Sequence, residues 1–268
     1  MGTICHTVPV AMRVRGAVPF HLCQGYEGLY EPVRHRWGEI EAIYALPTQK
    51  LVVSPHLVDL IARRFGQRAR WIPQPLDLAS FAPPVRPRPD DGTFRVLVTG
   101  QWEVPVKGVA LAFEALRSLR GEVPGLKVIR LSQDAPEAEV ASWPDAERHV
   151  AVPPAQVPAV YRGVDLFVGP STEAEGFGLP TVEAMACGVP CVLSDIGAFR
   201  ALDPDLRGSV RVPEGDAAAL ADAVRRLARD PETRRRLGRG GRVVVAQFRP
   251  ERTAEALRSA FLETLGRG

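Results

Sequence analysis

Apolar and polar residues follow two alternating patterns along the chain. Short apolar runs such as 94–100 and 191–194 are typical of strands that are buried on both faces of a sheet. The segments between such runs carry apolar residues three or four positions apart, as in 107–119, which is typical of amphipathic helices. Strands that alternate with helices predict an α/β fold with a doubly wound parallel sheet, whose ligands bind at the carboxyl ends of the strands.

The elements predicted after residue 90 follow this rhythm closely. The strands are 94–100, 126–131, 149–152, 165–169, 191–194 and 209–212. The helices are 107–119, one that carries Val157, Val160 and Tyr161, 179–187, two that begin after Asp216 and Asp230, and 250–265. Asp216 and Asp230 are expected to cap their helices because an aspartate side chain can accept hydrogen bonds from the first free N–H groups.

The first third of the chain predicts strands at 18–23 and 50–54 and a helix at 40–46. A second helix is expected to start at Pro55 with Ser54 as its N-cap, to carry Leu57, Leu60, Ile61 and Arg64, and to end at Gly66. Pro83, Pro84, Pro87 and Pro89 then stiffen a linker, so a domain boundary is expected near residues 82–92.

One stretch, 171–194, carries the most specific chemistry. Glu175 and Glu183 bracket a Gly-Phe-Gly-Leu-Pro segment, and Pro180 suits the first turn of the helix that follows. A glycine loop that leads into a helix N-terminus favours a phosphate or diphosphate. Carboxylates accept hydrogen bonds from sugar or ribose hydroxyls. The stretch therefore predicts a ligand with a diphosphate and hydroxyl-rich rings.

The segment 175–190, EGFGLPTVEAMACGVP, resembles the Glu-x7-Glu signature of retaining GT-B glycosyltransferases, in particular family 4, the glycosyl transferases group 1. The resemblance implies a Rossmann-like donor domain preceded by a partial N-terminal Rossmann-like domain. It also implies roles for the stretch. Glu175 and the backbone of Gly176, Phe177 and Gly178 would hold the donor sugar, Leu179 would meet the phosphates, and Glu183 would accept hydrogen bonds from the ribose.

On this resemblance we divide the chain into an acceptor-side domain (1–84), a nucleotide-sugar domain (85–248) and a C-terminal helix (249–268) that packs back on the first domain. Full-length relatives have further βα units before residue 18, so the first domain looks short. An incomplete sheet exposes an edge, which would invite a second copy or another partner to cover it.

A second segment, 100–108, resembles the family's Gly-Arg-x-x-x-x-Lys-Gly motif, which neutralises the donor's diphosphate. Gly100, Lys107 and Gly108 match, but Gln101 occupies the arginine position, so one positive charge is missing. With Lys107 and a helix terminus supplying charge, we expect neither a metal nor a cofactor. The resemblance further implies that the backbone near Val152 contacts the nucleobase.

Residues 21–24 depart from the family, in which many members carry a histidine after the strand where this chain has Gln24. His21 is a candidate replacement, but its place inside an apolar strand favours a packed, hydrogen-bonded histidine. A retaining mechanism assisted by the substrate needs no protein base, so this departure is compatible with activity.

The composition and the N-terminal residues bear on membrane insertion, secretion and cysteine chemistry. The chain has 268 residues, and its longest apolar runs are too short to span a membrane. Arg13 and Arg15 lie where a signal peptide would need an apolar core, so we expect a cytoplasmic protein. The cysteines, Cys5, Cys23, Cys187 and Cys191, are too scattered for a disulfide framework, and the last two are expected to be core thiols. No histidine lies at metal-binding spacing from them.

Arginines crowd residues 225–242. The first interpretation is that they lie on the solvated faces of two helices. The alternative is peripheral contact with anionic lipid head groups at the inner membrane face. No aromatic interleaving supports nucleic-acid binding.

The resulting hypothesis is a metal-independent, retaining glycosyltransferase that moves a sugar from a nucleotide-diphosphate donor to a glycan or lipid-linked acceptor in cell-surface polysaccharide or glycoconjugate biosynthesis. The alternative is a remnant that binds a nucleotide sugar without transferring it. A Rossmann dehydrogenase is excluded because neither Gly100 nor Gly169 begins a Gly-x-Gly-x-x-Gly turn.

Overall fold

The computed structural model describes residues 7–85, 88 and 90–266, and these form two compact units. Unit 1 contains the described residues up to Leu76, the segment Glu173–Phe177, and the described residues from Gln247 onward. Unit 2 contains the described residues of Asp77–Thr172 together with Gly178–Ala246. Pro87, Pro89 and Cys5 lie outside the described residues. The domain limits proposed from the sequence remain predictions.

Unit 1 starts with α1 (Val8–Ala11), β1 (Phe20–Cys23), α2 (Trp37–Ala45), β2 (Gln49–Val52), α3 (Pro55–Phe65) and β3 (Ala69–Trp71). Among the described residues its strands form a three-stranded parallel sheet in the order β1-β2-β3. The sequence predicted both the β1 and β2 regions but missed α1 and β3, because runs of three or four residues carry too little periodicity to stand out.

Unit 2 follows with β4 (Phe94–Thr99), α4 (Val109–Ser118), β5 (Leu126–Ser132), α5 (Glu137–Ser142), β6 (Glu147–Val150), α6 (Val157–Arg162), β7 (Leu166–Gly169), α7 (Leu179–Ala186), β8 (Cys191–Ser194), α8 (Gly197–Leu202), β9 (Ser209–Val212), α9 (Ala217–Arg229) and α10 (Pro231–Val245). Within the described part of the chain its sheet has six parallel strands in the order β6-β5-β4-β7-β8-β9. The chain leaves β4 first to one side and then to the other, so the predicted α/β class and doubly wound sheet are confirmed.

The last helix, α11 (Pro250–Thr264), belongs to unit 1 and packs on its sheet. The ring of Phe261 meets the ring of Phe20 edge-on, with 4.9 Å between centroids. Ala260 joins Leu51 in a small apolar cluster, and Arg70 on β3 pairs with Glu263 at 2.6 Å. The apolar side of α11 thus covers one face of the β1-β2-β3 sheet.

All three predicted N-cap positions are confirmed, but only the two aspartates make a side-chain hydrogen bond to their helix. The side chain of Asp216 accepts from Ala219 N at 2.8 Å, and that of Asp230 accepts from Thr233 N at 2.9 Å. Ser54 occupies the N-cap position of α3, but its hydroxyl bonds His56 Nδ1 at 2.8 Å rather than the helix backbone. A nearby imidazole therefore competes with the N–H groups for the serine oxygen.

Glycines bring α7 and α10 into direct contact in unit 2. A side chain at Gly238 would collide with the backbone carbonyl of Gly188, and a Cβ at Gly241 would lie 3.0 Å from Met185 Cγ. A Cβ at Gly208, just before β9, would lie 2.5 Å from the Cα of Gly241. The absence of side chains at these positions is thus what allows α10 to pack so closely on α7.

His21 is buried in unit 1, but the predicted hydrogen bonding is wrong. Its exposed fraction is 1%, and neither ring nitrogen has a hydrogen-bond partner among the described residues. The imidazole packs on the ring of Tyr44, with 4.8 Å between centroids, and the Tyr44 hydroxyl donates to Gly25 O at 2.7 Å instead. Burial, assisted by the charge of Lys50, lowers the pKa of His21 to about 4.

His21 should make unit 1 acid-sensitive. Its pKa is about 4 when folded and 6.5 ordinarily, so between these values the unfolded chain binds more protons and stability falls as the pH is lowered. The loss between pH 7 and pH 4.5 should be of the order of 2–3 kcal/mol. Urea denaturation at both pH values should show that His21→Phe removes this part of the pH dependence.

The matched control for His21 is His35→Phe, because His35 is an exposed histidine in the same unit. This variant should keep the pH dependence of the parent protein. Equal pH dependence in the parent protein and in His21→Phe would show that the buried imidazole does not couple folding to protonation.

Candidate functional site

The helix that carries Glu183 begins as predicted. Gly178 has a φ of 81°, in the left-handed region, and α7 then runs from Leu179 to Ala186 against a predicted 179–187. A Cβ at Gly178 would collide with the ring of Phe199, so glycine is needed there for space as well as for conformation. The turn is tighter than the sequence indicated, because Pro180 has no N–H and Thr181 N donates to Gly178 O at 2.9 Å. Fewer backbone donors therefore point outward from the start of α7.

Glu183 lies beside a tyrosine in unit 2. The hydroxyl of Tyr161, on α6, donates to Glu183 Oε2 at 2.7 Å. Burial raises the pKa of Glu183, and the hydrogen bond from Tyr161 partly opposes that rise. Burial raises the pKa of Tyr161 well above 10, and the neighbouring carboxylate adds to it, so the hydroxyl remains a donor. Tyr161 thus fixes one carboxylate oxygen of Glu183.

Lys107 lies before α4 rather than inside it, which corrects the predicted helix 107–119. Residues Pro105–Lys107 form a 3₁₀ turn, Gly108 follows with a φ of 60°, and α4 begins at Val109. Gly100 has a φ of 104°, and a Cβ there would lie 2.8 Å from Lys107 Cγ. The aliphatic stem of Lys107 therefore lies across Gly100, so the absence of a side chain at Gly100 has a direct steric reason.

The loop with Gln101 and Lys107 contacts the segment that follows β7. Thr172 N donates to Val106 O at 3.0 Å, and a Cβ at Gly108 would collide with the carbonyl of Pro170. Because β4 and β7 are adjacent parallel strands, their following loops meet at the same edge of the sheet. This edge of unit 2, defined by residues 100–108 and 170–172, is the carboxyl edge of the sheet, where doubly wound folds bind ligands.

Glu175, Gly176 and Phe177 are placed in unit 1. The backbone of Gly176 lies against the carbonyl of Gln24, so closely that a Cβ there would collide with it. Glu175 is 9% exposed, and the ring of Phe177 meets that of Phe248 with 5.2 Å between centroids. Unit 1 thus brings the first glutamate of the motif next to Gln24 in the loop after β1.

Val152 follows a strand that starts and ends earlier than predicted. β6 covers Glu147–Val150 rather than 149–152, because Ala151 has a φ of 48° and turns the chain. Val152 and His149 line a cleft of about 630 Å³ in unit 2. Arg95 and Glu147, near the starts of β4 and β6, line it too, so the cleft extends along the side of the sheet.

Sequence reasoning missed polar residues that support these positions. Tyr161 was assigned only to the apolar side of its helix, and a tyrosine hydroxyl has no signal in periodicity. Arg130, on β5, was part of a predicted strand, and a charged residue inside a buried run was a usable signal for a buried partner. That partner is Glu139 of α5, a helix that was not predicted.

The described residues offer neither a metal-binding cluster nor a reactive thiol among Cys23, Cys187 and Cys191. In the described ranges, no group of three or more His, Cys, Asp or Glu side chains could hold a metal ion. Cys23, Cys187 and Cys191 are free and buried, and burial raises the pKa of Cys187 to about 12, so the prediction of core thiols at 187 and 191 is confirmed. Across the described residues, no helix is long and apolar enough to cross a bilayer.

The described units are parallel α/β units of the Rossmann-like class, with a lysine loop and a glutamate-bearing helix in unit 2. The chain belongs to the glycosyl transferases group 1 family, whose model matches residues 93–230. It is 32% identical over 213 residues to phosphatidyl-myo-inositol mannosyltransferase of Mycobacterium leprae, covering 75% of this chain and 57% of that protein. It is 27% identical over 288 residues to D-inositol 3-phosphate glycosyltransferase of Acidothermus cellulolyticus, covering 98% of this chain and 62% of that protein.

Solved structures show the same fold. Sucrose-phosphate synthase of Thermosynechococcus elongatus has a TM-score of 0.76 at 23% identity, covering 93% of this chain and 68% of that one. Anabaena HepE, solved in complex with UDP-glucose, has a TM-score of 0.72 at 16% identity, covering 92% and 71%. The fold is therefore of the GT-B type. The chain spans between 51% and 62% of the length of the first relatives it matches.

Removing the Tyr161 hydroxyl should destabilise the protein through Glu183. We expect Tyr161→Phe to lower the free energy of unfolding by about 1–3 kcal/mol at pH 7, the scale of a hydrogen bond to a charged group. Urea denaturation measures it, with Tyr30→Phe as the control. In a Glu183→Gln background the same change should cost less, because the charged acceptor is gone. Additive losses would rule out the coupling.

Proposed function

We propose that this protein is a retaining glycosyltransferase that moves a sugar from a nucleotide-diphosphate donor to a glycan or lipid-linked acceptor. The observation that carries the proposal is the carboxyl edge of unit 2. There the Lys107 loop contacts the segment after β7 through Val106 and Thr172, and that segment belongs to the chain that leads on to α7 and Glu183. Membership of the glycosyl transferases group 1 family supports it.

In this proposal Lys107 and the start of α7 stabilise the leaving diphosphate. Negative charge grows on the diphosphate as the glycosidic bond ionises, and an ammonium and the positive end of a helix dipole both favour it. Gly100 and Gly108 keep the loop close to the sheet, and Gln101 adds a neutral donor where an arginine would add a charge. A metal ion is not needed in this scheme.

Glu183 is proposed to recognise the ribose. Tyr161 engages Oε2, and Oε1 then accepts from the ribose hydroxyls. Leu179, the first residue of α7, is 40% exposed and is proposed to lie against the phosphates. The backbone at Val152 is proposed to contact the nucleobase at the end of the cleft that lies next to the carboxyl end of β6.

Glu175, Gly176, Phe177 and Gly178 are proposed to hold the donor sugar. The buried carboxylate of Glu175 accepts hydrogen bonds from sugar hydroxyls, which a solvated carboxylate would do less selectively. Gln24 is exposed beside Gly176 and is proposed to bind a hydroxyl as a neutral amide, since it cannot serve as a base. The substrate's own leaving group would then take the proton of the acceptor.

The acceptor is the least constrained partner. The names of both relatives above include inositol, as a phospholipid head group in one and as inositol phosphate in the other. We therefore propose an inositol-bearing acceptor as the first to test. A lipid-linked acceptor would place the protein at the inner face of a membrane, where the exposed Arg235, Arg236 and Arg239 of α10 would favour anionic head groups.

A second proposal is that the chain binds a nucleotide sugar without transferring it. Gln101 in the Lys107 loop favours this alternative. Without an arginine at this position, one cation fewer stabilises the negative charge that grows on the diphosphate in the transition state. Both proposals expect nucleotide binding, and only the first expects turnover.

Turnover separates the two proposals. The protein should release nucleoside diphosphate from one of UDP-glucose, GDP-mannose or ADP-glucose when phosphatidylinositol vesicles or inositol phosphate are added. A coupled assay for the released diphosphate measures this, with Lys107→Met as the inactive control. The non-catalytic alternative would be favoured if calorimetry showed nucleotide-sugar binding while the release of nucleoside diphosphate stayed at background for every donor and acceptor.

Glu183→Gln tests the site directly. We expect the change to weaken nucleoside diphosphate binding by about 1–3 kcal/mol, the scale of a lost charged hydrogen bond. Glu232→Gln is the matched control, because Glu232 is an exposed glutamate in the first turn of α10. Calorimetric affinity that is the same for Glu183→Gln and the parent protein would remove Glu183 from the site.

A further inference from the structure

Unit 2 contains a fully buried ion pair behind the carboxyl edge of its sheet. Arg130 on β5 and Glu139 on α5 are each 0% exposed. The guanidinium donates to both carboxylate oxygens of Glu139, from Nε at 2.9 Å and from Nη2 at 3.0 Å. Arg148 approaches the same carboxylate at 3.9 Å. Two charged groups are thus fully buried, where charges are costly, and the partly exposed Arg148 lies beside them.

The remaining donors of Arg130 reach the backbone that leads into the Lys107 loop. Nη1 donates to Val98 O at 2.6 Å, and Nη2 donates to Gly100 O at 2.7 Å. Gly100 N in turn donates to Leu131 O at 3.2 Å. Gly100 is therefore held on both sides, by its N–H through β5 and by its carbonyl through the Arg130 guanidinium.

Gly100 is also the surface on which Lys107 lies. Its φ of 104° and its missing side chain allow the stem of Lys107 to cross it, because a Cβ would stand 2.8 Å from Lys107 Cγ. A shift of the Gly100 peptide would therefore displace the lysine stem. The contacts form a continuous path from Glu139 through Arg130 and Gly100 to Lys107.

Stability alone is a weak reason for this arrangement. A buried ion pair can often be replaced by apolar residues of similar volume at no loss of stability. What apolar residues cannot replace is the pair of hydrogen bonds to Val98 O and Gly100 O. The geometry of Arg130 is thus suited to fixing the position of a loop, since one planar guanidinium serves four acceptors in defined directions.

We propose that Arg130 and Glu139 are positioning residues that hold the ammonium of Lys107 where the diphosphate of the nucleotide binds. The proposal rests on the proposed function, because it assumes that Lys107 binds a diphosphate. Arg130 itself does not touch the ligand. In this proposal the ammonium of Lys107 meets the second phosphate of the nucleotide, so a nucleoside monophosphate should bind equally well with and without Arg130.

The test compares diphosphate with monophosphate binding in Arg130→Met/Glu139→Leu. The paired change removes both members of the fully buried pair, and the partly exposed Arg148 keeps its hydrogen bonds to the carbonyls of Ala146 and Trp143. The melting temperature should therefore stay within a few degrees of the parent protein. Affinity for UDP, GDP or ADP should fall about tenfold, the scale of a misplaced loop, whereas UMP, GMP or AMP should bind as before. Calorimetry measures both. Arg117→Met is the control, since Arg117 contacts Ser142 on α5 but is not bonded to Gly100.

A cycle with Lys107→Met tests the path itself. Lys107→Met should cost diphosphate affinity in the parent protein and little more in the paired variant, because the lysine is already displaced there. Arg130→Lys carries the test if the paired variant fails to fold. Its single ammonium can serve Glu139 but not both carbonyls, so it too should lose the preference for diphosphate.

The outcomes are distinct. Three results would each overturn the positioning role. The first is unchanged diphosphate affinity in a folded variant, and the second is an equal loss of affinity for diphosphate and monophosphate. The third is a Lys107→Met effect on diphosphate affinity that is as large in the paired variant as in the parent protein. A parent protein that binds no nucleoside diphosphate at all would instead overturn the proposed function.

Discussion

The position of β4 between β5 and β7 is the constraint on which unit 2 depends. Because β4 pairs in parallel with both neighbours, the chain must return to it twice, once on each side. The loops after β4 and β7 therefore end at the same edge, and contact between Gly108 and Pro170 joins them there. The Lys107 loop and the chain that enters α7 are brought together by this pairing, although some 60–70 residues separate them in the sequence.

Elements with a strong local pattern could be predicted from the sequence. β8 lies at Cys191–Ser194 as expected, α7 ends one residue early, and the caps at Asp216 and Asp230 depend only on residues three positions apart. The candidate site residues could also be named, because glycines and prolines around Glu183 define a loop and a helix start whatever the rest of the chain does. The roles of these residues remain predictions.

What could not be predicted depends on contacts between distant residues. Lys107 lies outside α4 because the turn at Gly108 packs against Pro170, and no pattern in residues 100–120 contains that information. Tyr161 reaches Glu183 across 22 positions of sequence. His21 loses its hydrogen bonds because Tyr44 turns its hydroxyl toward Gly25 and Glu27. Local propensity specifies elements, and the partners of buried polar groups are decided by how those elements pack.

The glycines of α10 also determine what this helix would do alone. Gly238, Gly240 and Gly241 each lower helix propensity by about 1 kcal/mol relative to alanine, and the arginines around them repel one another. An isolated peptide of this sequence would be largely unstructured in water. Its helicity is a product of docking, so the order of α10 reports on the integrity of α7. A change that loosens α7 would therefore also remove the surface on which α10 becomes helical.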